Sequence, residues 1–230
     1  MSEKPILFSG AMIRAIHEGR KWMTRRVMNP QPHPDFLKRG VVRVVPQWPH
    51  QDGLRWFMAD GLSELVACPY GKPGDFLWIR EAWRTLRKWD DLSGKKLGEL
   101  GITIPIQYEA DNATRDWPKR QTSPLGRYRH ARFMPRWVAR TVRPITDVRA
   151  EQLQDITEED AKAEGVGPGF IPCPHPQFSD VQTTLCVGYR PMFVRLWDEI
   201  NGTRHGCAWA DNPWVWAISF ARMTPGGGRE

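Results

Sequence analysis

Gly19-Arg20-Lys21-Trp22-Met23-Thr24-Arg25-Arg26-Val27 sets a helix-ending glycine beside a lysine, a threonine three residues further on and two arginines. A lysine and a hydroxyl at that spacing can face one cavity if the backbone between them makes one turn. The arginines add donors for an anion or a nucleobase edge. From these nine residues alone a solvated basic turn is the plainer reading, because charge runs at element ends are common. Upstream, the apolar run Ile6 to Phe8 is followed by Ser9, a good N-cap, and by Met12, Ala15 and Ile16 at helical spacing, with Gly19 as the stop. The chain therefore opens with a short strand feeding a helix of about two turns, from whose end Lys21 to Thr24 depart.

Composition narrows the classes. The 230 residues are enough for a sizeable core in one large or two small domains. Lys+Arg of 33 against Asp+Glu of 26 gives +7, which makes nucleotides or nucleic acid plausible partners. Twelve Trp against four Tyr is an unusual balance, and such rings serve as core or as recognition surface. No apolar run approaches the roughly 20 residues of a membrane span, and Met1-Ser2-Glu3-Lys4 lacks a signal-peptide core, so a cytoplasmic protein with no membrane partner is expected. Cys68, Cys173, Cys186 and Cys207 are scattered and read as thiols in a reducing compartment. Cys173, His175 and Cys186, or His205 and Cys207, are candidate zinc ligands, but no Cys-x-x-Cys pair is present. Neither a metal nor a cofactor is expected.

Beyond Asn29 to Pro34 the chain is proline-rich and extended, and it opens an insert at about 28–70 with strands expected at Val41 to Val45 and Leu54 to Met58. The Pro73-Gly74 turn leads into Phe76-Leu-Trp-Ile-Arg-Glu81, apolar on both faces through Ile79, hence a central strand. Glu81 at its end reads as an arginine's buried partner or a site residue. A second insert, about 84–130, carries one expected hairpin strand at Ile104 to Glu109. Arg127, Arg129, Arg132 and Arg136 then alternate with Tyr128, Phe133 and Trp137. Arginine beside aromatics is the combination that tracks a phosphate backbone while stacking bases; a twisted edge ribbon with solvated arginines is the even-handed alternative. Val138 to Arg143 alternates as a strand. Thr157 as N-cap with Asp160 at the third helical position announces a short helix ended by Gly165, with Glu164 on its last turn facing the negative end of the helix dipole. Gly165 to Gly188 reads as a long loop, Met192 to Ile200 as a core helix, and Trp214 to Ala221 as a strand with one bulky and one small face, before a loose glycine-rich tail. The fold class expected is α+β, a small mixed β-barrel plugged by short helices, over residues 1–230 as one domain.

Three pieces in this order, Gly19-Arg20-Lys21 with Thr24, the Gly74-Asp75 turn before an apolar strand, and Thr157 to Glu164, resemble the ASCH domain of the PUA-like superfamily. Within it the chain is similar to bacterial N4-acetylcytidine amidohydrolases, in a larger form of the kind found in phages and prophages. The resemblance covers residues 4–27, 71–81 and 137–165 and the final strand. It implies a PUA-like barrel and places the family's catalytic lysine, threonine and glutamate on Lys21, Thr24 and Glu164. The hydrolases carry an apolar residue directly after the threonine and an acid three after it, where this chain has Arg25 and Val27. That departure bears on substrate identity more than on fold.

Amide hydrolysis needs a nucleophile, its activation, an oxyanion donor and an acid for the leaving nitrogen. On the resemblance Thr24 attacks the acyl carbon, a desolvated Lys21 takes its proton or stabilises the oxyanion, and Glu164 protonates the departing amine. Arg25, Arg26, Trp22, Trp78 and Glu81 are the substrate-binding candidates, with Trp83 as another ring that could stack the base. Arg127, Arg129, Arg132, Arg136 and Trp137 are the nucleic-acid-binding candidates. The expected partner is a modified cytidine nucleoside, or RNA or DNA bearing one. A non-catalytic RNA- or modified-DNA-binding module and a ribonuclease are the competing classes.

Overall fold

The computed structural model describes residues 1–29, 31, 57–58, 61–62, 67–119, 123–172 and 185–224. Strand β1 (Glu3–Leu7) leads into helix α1 (Gly10–His17), whose N-terminus is capped by Ser9 accepting from the Met12 amide. Gly19, at φ +70°, turns the chain out of the helix and into β2 (Met23–Val27). Next come the short pair β3 (Phe57–Met58) and β4 (Gly61–Leu62), then β5 (Phe76–Arg80), β6 (Trp83–Arg84), α2 (Gly94–Glu99), β7 (Ile106–Tyr108) and β8 (Thr114–Arg115). The long β9 (Val142–Gln152), α3 (Glu158–Ala163), β10 (Gly169–Pro172), β11 (Leu185–Gly188), α4 (Tyr189–Asn201) and β12 (Trp214–Phe220) complete the order.

The main sheet runs β1-β5-β9-β12-β2, with β1 parallel to β5 and every other pairing antiparallel. The first two strands therefore occupy opposite edges and α1 links them. Among the described residues no ladder joins β1 to β2. The two edges nevertheless lie within one side chain's reach, since Arg26 of β2 donates to the Leu7 carbonyl of β1 at 2.7 Å. Among the described residues the architecture is α+β on a mixed sheet, and no closed barrel is found. No helix among the described residues is long and apolar enough to cross a membrane.

Packing follows the period-2 pattern of β12. Trp214, Trp216, Ile218 and Phe220 join Ile6, Phe8, Ile13, Ile16, Leu77 and Ile79 in the core between sheet and α1. Val215, on the opposite face, packs with Leu153, Ile156, Ala161, Phe193 and Trp197 under α3 and α4. The sheet is buried on both faces here, as expected when helices cover both sides.

Several expectations are corrected. The segment expected to be a strand from Val138 begins as a tight 3-10 turn over Arg136–Val138 after Pro135, and the ladder starts at Val142. Residues 84–130 hold more than one hairpin: β6, β7 and β8 form a three-stranded antiparallel sheet. Trp78, Trp83, Leu97, Ile106, Tyr108, Met134 and Val138 fill a core of their own there. The Gly165–Gly188 loop contains the β10-β11 hairpin. The strand expected at Leu54 to Met58 is described only at Phe57–Met58, where it pairs with Gly61–Leu62. Val41 to Val45, Cys173, His175 and the tail from 225 lie outside the described residues, as does the Cys186 side chain.

Candidate functional site

Three local features deliver Lys21 and Glu164 to each other. Gly19 reverses the chain after α1; the Lys21 amide bonds the Ala15 carbonyl at 2.9 Å, and the next amide, Trp22, bonds the Ala163 carbonyl of α3 at 2.9 Å. On the other side Thr157 caps α3 by accepting from the Asp160 amide at 3.1 Å, and Glu164 becomes its C-cap. Lys21 and Glu164 then form a single antiparallel bridge between the two segments. Gly165 follows at φ +87°, and a Cβ there would sit 2.7 Å from the Lys21 Cβ, so only glycine allows this approach.

The Lys21 Nζ donates to the Glu164 Oε2 at 2.7 Å, the Glu164 carbonyl at 2.8 Å and the Met23 carbonyl at 2.8 Å. All three ammonium protons are accounted for, and the residue is 1% exposed. Burial holds its pKa below the usual lysine value, opposed by Glu164. The other Glu164 oxygen faces Arg25 Nη1 at 3.4 Å. Arg25 is buried and also reaches Glu151 Oε1 at 2.5 Å and Asp160 Oδ2 at 2.6 Å. Burial alone would lower its pKa, but Glu164, Glu151 and Asp160 outweigh it and hold it above the usual value. Arg149 adds a second cation on Asp160 at 3.0 Å.

Thr24 is buried, pairs across the ladder with Ile218, and lines a pocket of about 340 Å³ together with Glu164, Arg25 and Arg26. Its hydroxyl has no hydrogen-bond partner among the described residues. Leu7, Met12, Tyr70, Phe193, Leu196 and Trp197 supply the apolar part of the pocket wall. A second cavity of about 490 Å³, between α1, Gly165 and α4, shares Met12, Glu164 and Leu196 with the first, so Glu164 borders both. The structure thus joins Lys21 directly to Glu164 and sets Thr24 and Glu164 in one pocket wall.

Other expected site residues are placed elsewhere. Glu81 is 0% exposed and its carboxylate is held two-fold by Arg140 at 2.8 Å and 2.8 Å. It is the arginine partner of the two sequence alternatives. Trp78 and Trp83 belong to the core of the second sheet, and Trp22 packs on the main core under the Arg222 guanidinium, 4.5 Å from its ring centroid. None of the three lines the pocket beside Thr24; the aromatics that do are Tyr70, Phe193 and Trp197. Of the arginine run, Arg129 is buried, bonds the Leu92 and Trp89 carbonyls at 2.7 Å each, and serves the fold. Arg136 pairs with Glu3, and Trp137 donates to the Gly94 carbonyl at 3.0 Å. Arg127 and Arg132 are exposed, beside the exposed rings of Tyr128 and Phe133.

Sequence reading did not foresee Glu151, Asp160 and Arg149 as partners of the site. Asp160 was legible only as a helix-capping acid; its carboxylate turns instead to Arg25 and Arg149. The one available signal was the clustering of Arg149, Glu151 and Asp160 within twelve residues ahead of Glu164. Among the described residues no group of three His, Cys, Asp or Glu is placed to hold a metal ion. Comparison of the chain with protein-family models, curated proteins and solved structures gives no match.

Proposed function

We propose that the protein is an amidohydrolase of the N4-acetylcytidine type, an ASCH, PUA-like chain that removes an acyl group from the exocyclic nitrogen of a modified cytosine nucleoside or nucleotide. The observation that carries the reading is the Thr24 hydroxyl, without a partner among the described residues, in a pocket whose wall also presents the Glu164 carboxylate, itself 2.7 Å from a buried lysine. A free hydroxyl, a desolvated amine and a carboxylate are what acyl transfer needs within one site. The pocket volume suits a nucleobase, and its Phe193, Trp197 and Tyr70 rings suit stacking.

Thr24 Oγ1 attacks the acyl carbon, and its proton passes to the Lys21-Glu164 pair. The carbon-nitrogen bond breaks as the pair returns a proton to the departing N4 amine. Water then attacks the acyl-threonine, the pair takes a proton from it, and Thr24 is re-protonated as the carboxylic acid leaves. Lowering of the Lys21 pKa by burial, against the pull of Glu164, eases release of its proton to the departing amine.

Thr24→Val tests this cleanly, because Val keeps the shape and removes a hydroxyl that bonds no described residue. Release of acetate from N4-acetylcytidine is expected to fall by at least about a thousandfold, with circular dichroism and melting unchanged. Retained turnover in Thr24→Val, or none in the native protein, would sink the reading. The exposed Arg127, Tyr128, Arg132 and Phe133 favour a nucleic-acid-binding module as the second reading. That reading predicts binding of an RNA oligomer that weakens log-linearly with salt.

A further inference from the structure

We propose that the pocket beside Thr24 receives a negatively charged group of its substrate on Arg26, so that the favoured ligand is an anionic cytidine, with a phosphate on the ribose or a carboxylate on the acyl chain. The inference rests on the acylcytosine reading and names the substrate feature that reading leaves open.

Lys21, Arg25 and Arg149 face Glu164, Glu151, Asp160 and Asp147, three cations against four anions in one connected cluster. Each of those acids already faces a cation of the cluster. Arg26, next in sequence to Arg25 but on the opposite face of β2, is outside it. Its Nη2 donates to the Leu7 carbonyl at 2.7 Å, Tyr70 lines the pocket with it, and the guanidinium lies 5.1 Å from the Phe8 ring centroid. Among the described residues no carboxylate lies within 4.0 Å of it. Glu164 lines the same pocket, but both of its oxygens already face Lys21 and Arg25.

Arg204 lines the pocket too, and its partner there is the Asn201 side-chain oxygen at 3.2 Å, again not an acid. The wall therefore presents Arg25, Arg26 and Arg204 against the single acid Glu164, which is taken up by the buried cluster. A half-buried guanidinium without a counter-ion is costly unless something supplies the charge. Burial indeed holds the Arg26 pKa below the usual arginine value, with Tyr70 and Glu164 only partly offsetting it. A guanidinium has five N–H donors in a planar fork, and the bond to Leu7 leaves donors for a carboxylate or phosphate.

Titration calorimetry of the full chain with cytidine, cytidine 5′-monophosphate and N4-succinylcytidine reads binding without requiring turnover. At least one anionic ligand is expected to bind about tenfold or more tighter than cytidine, the ordinary worth of one charge-assisted hydrogen bond. Preference for the monophosphate assigns the ribose side, and preference for the succinyl compound the acyl side. Arg26→Gln should bring that ligand to within about threefold of cytidine. If circular dichroism shows that Arg26→Gln has lost the fold, Arg26→Lys replaces it. There the preference should fall by about threefold or more, since an ammonium cannot reproduce the fork. Equal affinities for all three ligands, no binding of either anion, or a preference untouched by the substitution overturns the proposal. Anion preference without acyl release from any acylcytidine would instead overturn the amidohydrolase reading and leave this one standing.

Discussion

Replacing Lys21 by Met removes one ammonium and strands three acceptors. The Glu164 carboxylate, 5% exposed, keeps only Arg25 at 3.4 Å, and the Met23 and Glu164 carbonyls lose their 2.8 Å donor. Breaking a buried ion pair from one side costs about 3–5 kcal/mol, and each stranded carbonyl about 1–3 kcal/mol if no water replaces the donor. These costs do not add fully, and Glu164 borders two cavities through which water can reach it. The lower end, about 3 kcal/mol, is therefore the expected loss. For a chain of this length that lowers the melting temperature by about 6–12 °C. Urea denaturation followed by tryptophan fluorescence measures it. Adding Glu164→Gln to Lys21→Met should recover about 1–3 kcal/mol, because the second change removes the uncompensated charge left by the first. A single variant within about 1 kcal/mol of the native protein, or a double variant whose loss equals the sum of the two singles, would refute the claim that this pair is buried and mutually dependent. The same loss explains why Lys21→Met alone is a poor test of catalysis and why Thr24→Val carries that weight.

Gly165→Ala should destabilise by about 2–4 kcal/mol, from positive φ and from the 2.7 Å approach to Lys21 Cβ, and should depress activity with stability; a neutral result in the same denaturation assay would mean the bridge can shift. The His17 imidazole, which bonds Thr141 Oγ1 at 2.9 Å, has its pKa lowered by burial and by Arg140 against the opposing pull of Glu81 and Asp111. The unfolded chain thus binds that proton more readily. The His17 contribution is present above about pH 6.5 and is lost as pH falls through the lower folded value. His17→Gln should flatten that acid-side loss in melting curves between pH 7 and pH 4, and an unchanged slope would count against it. Burial pushes the Cys68 thiol up to about 11, so native protein at pH 8 should leave Cys68 unalkylated by iodoacetamide in peptide-resolved mass spectrometry, while urea-unfolded protein reacts.

Much of the fold was readable because its elements carry local signals. Ser9 and Gly19 bound α1, Thr157 and Gly165 bound α3, and the alternation over Trp214 to Phe220 marks a strand between two packed faces. The second sheet was poorly readable. Its strands are two or three residues long, too short for a period to show, and they are held by a core assembled from Trp78, Leu97, Met134 and Val138, far apart in the chain. Glu81 and Arg129 read equally well as site or scaffold residues, because a sequence does not say whether a charged side chain meets solvent or an internal partner. Arg140 settles the first and the Leu92 and Trp89 carbonyls the second.

The nine residues from Gly19 to Val27 determined by themselves that a helix ends and that a lysine and a hydroxyl leave the turn three residues apart. These are consequences of backbone preference and side-chain spacing within one short segment. Only the tertiary structure decided that Lys21 is buried on Glu164, 143 residues away, and that Arg25 and Arg26, adjacent in sequence, have opposite circumstances. The pleat sends Arg25 under α3 and α4 to three acids, and Arg26 toward Leu7 and Phe8, with no carboxylate within 4.0 Å among the described residues. Charge compensation depends on which carboxylates lie within a few ångströms, and that distance is set by packing.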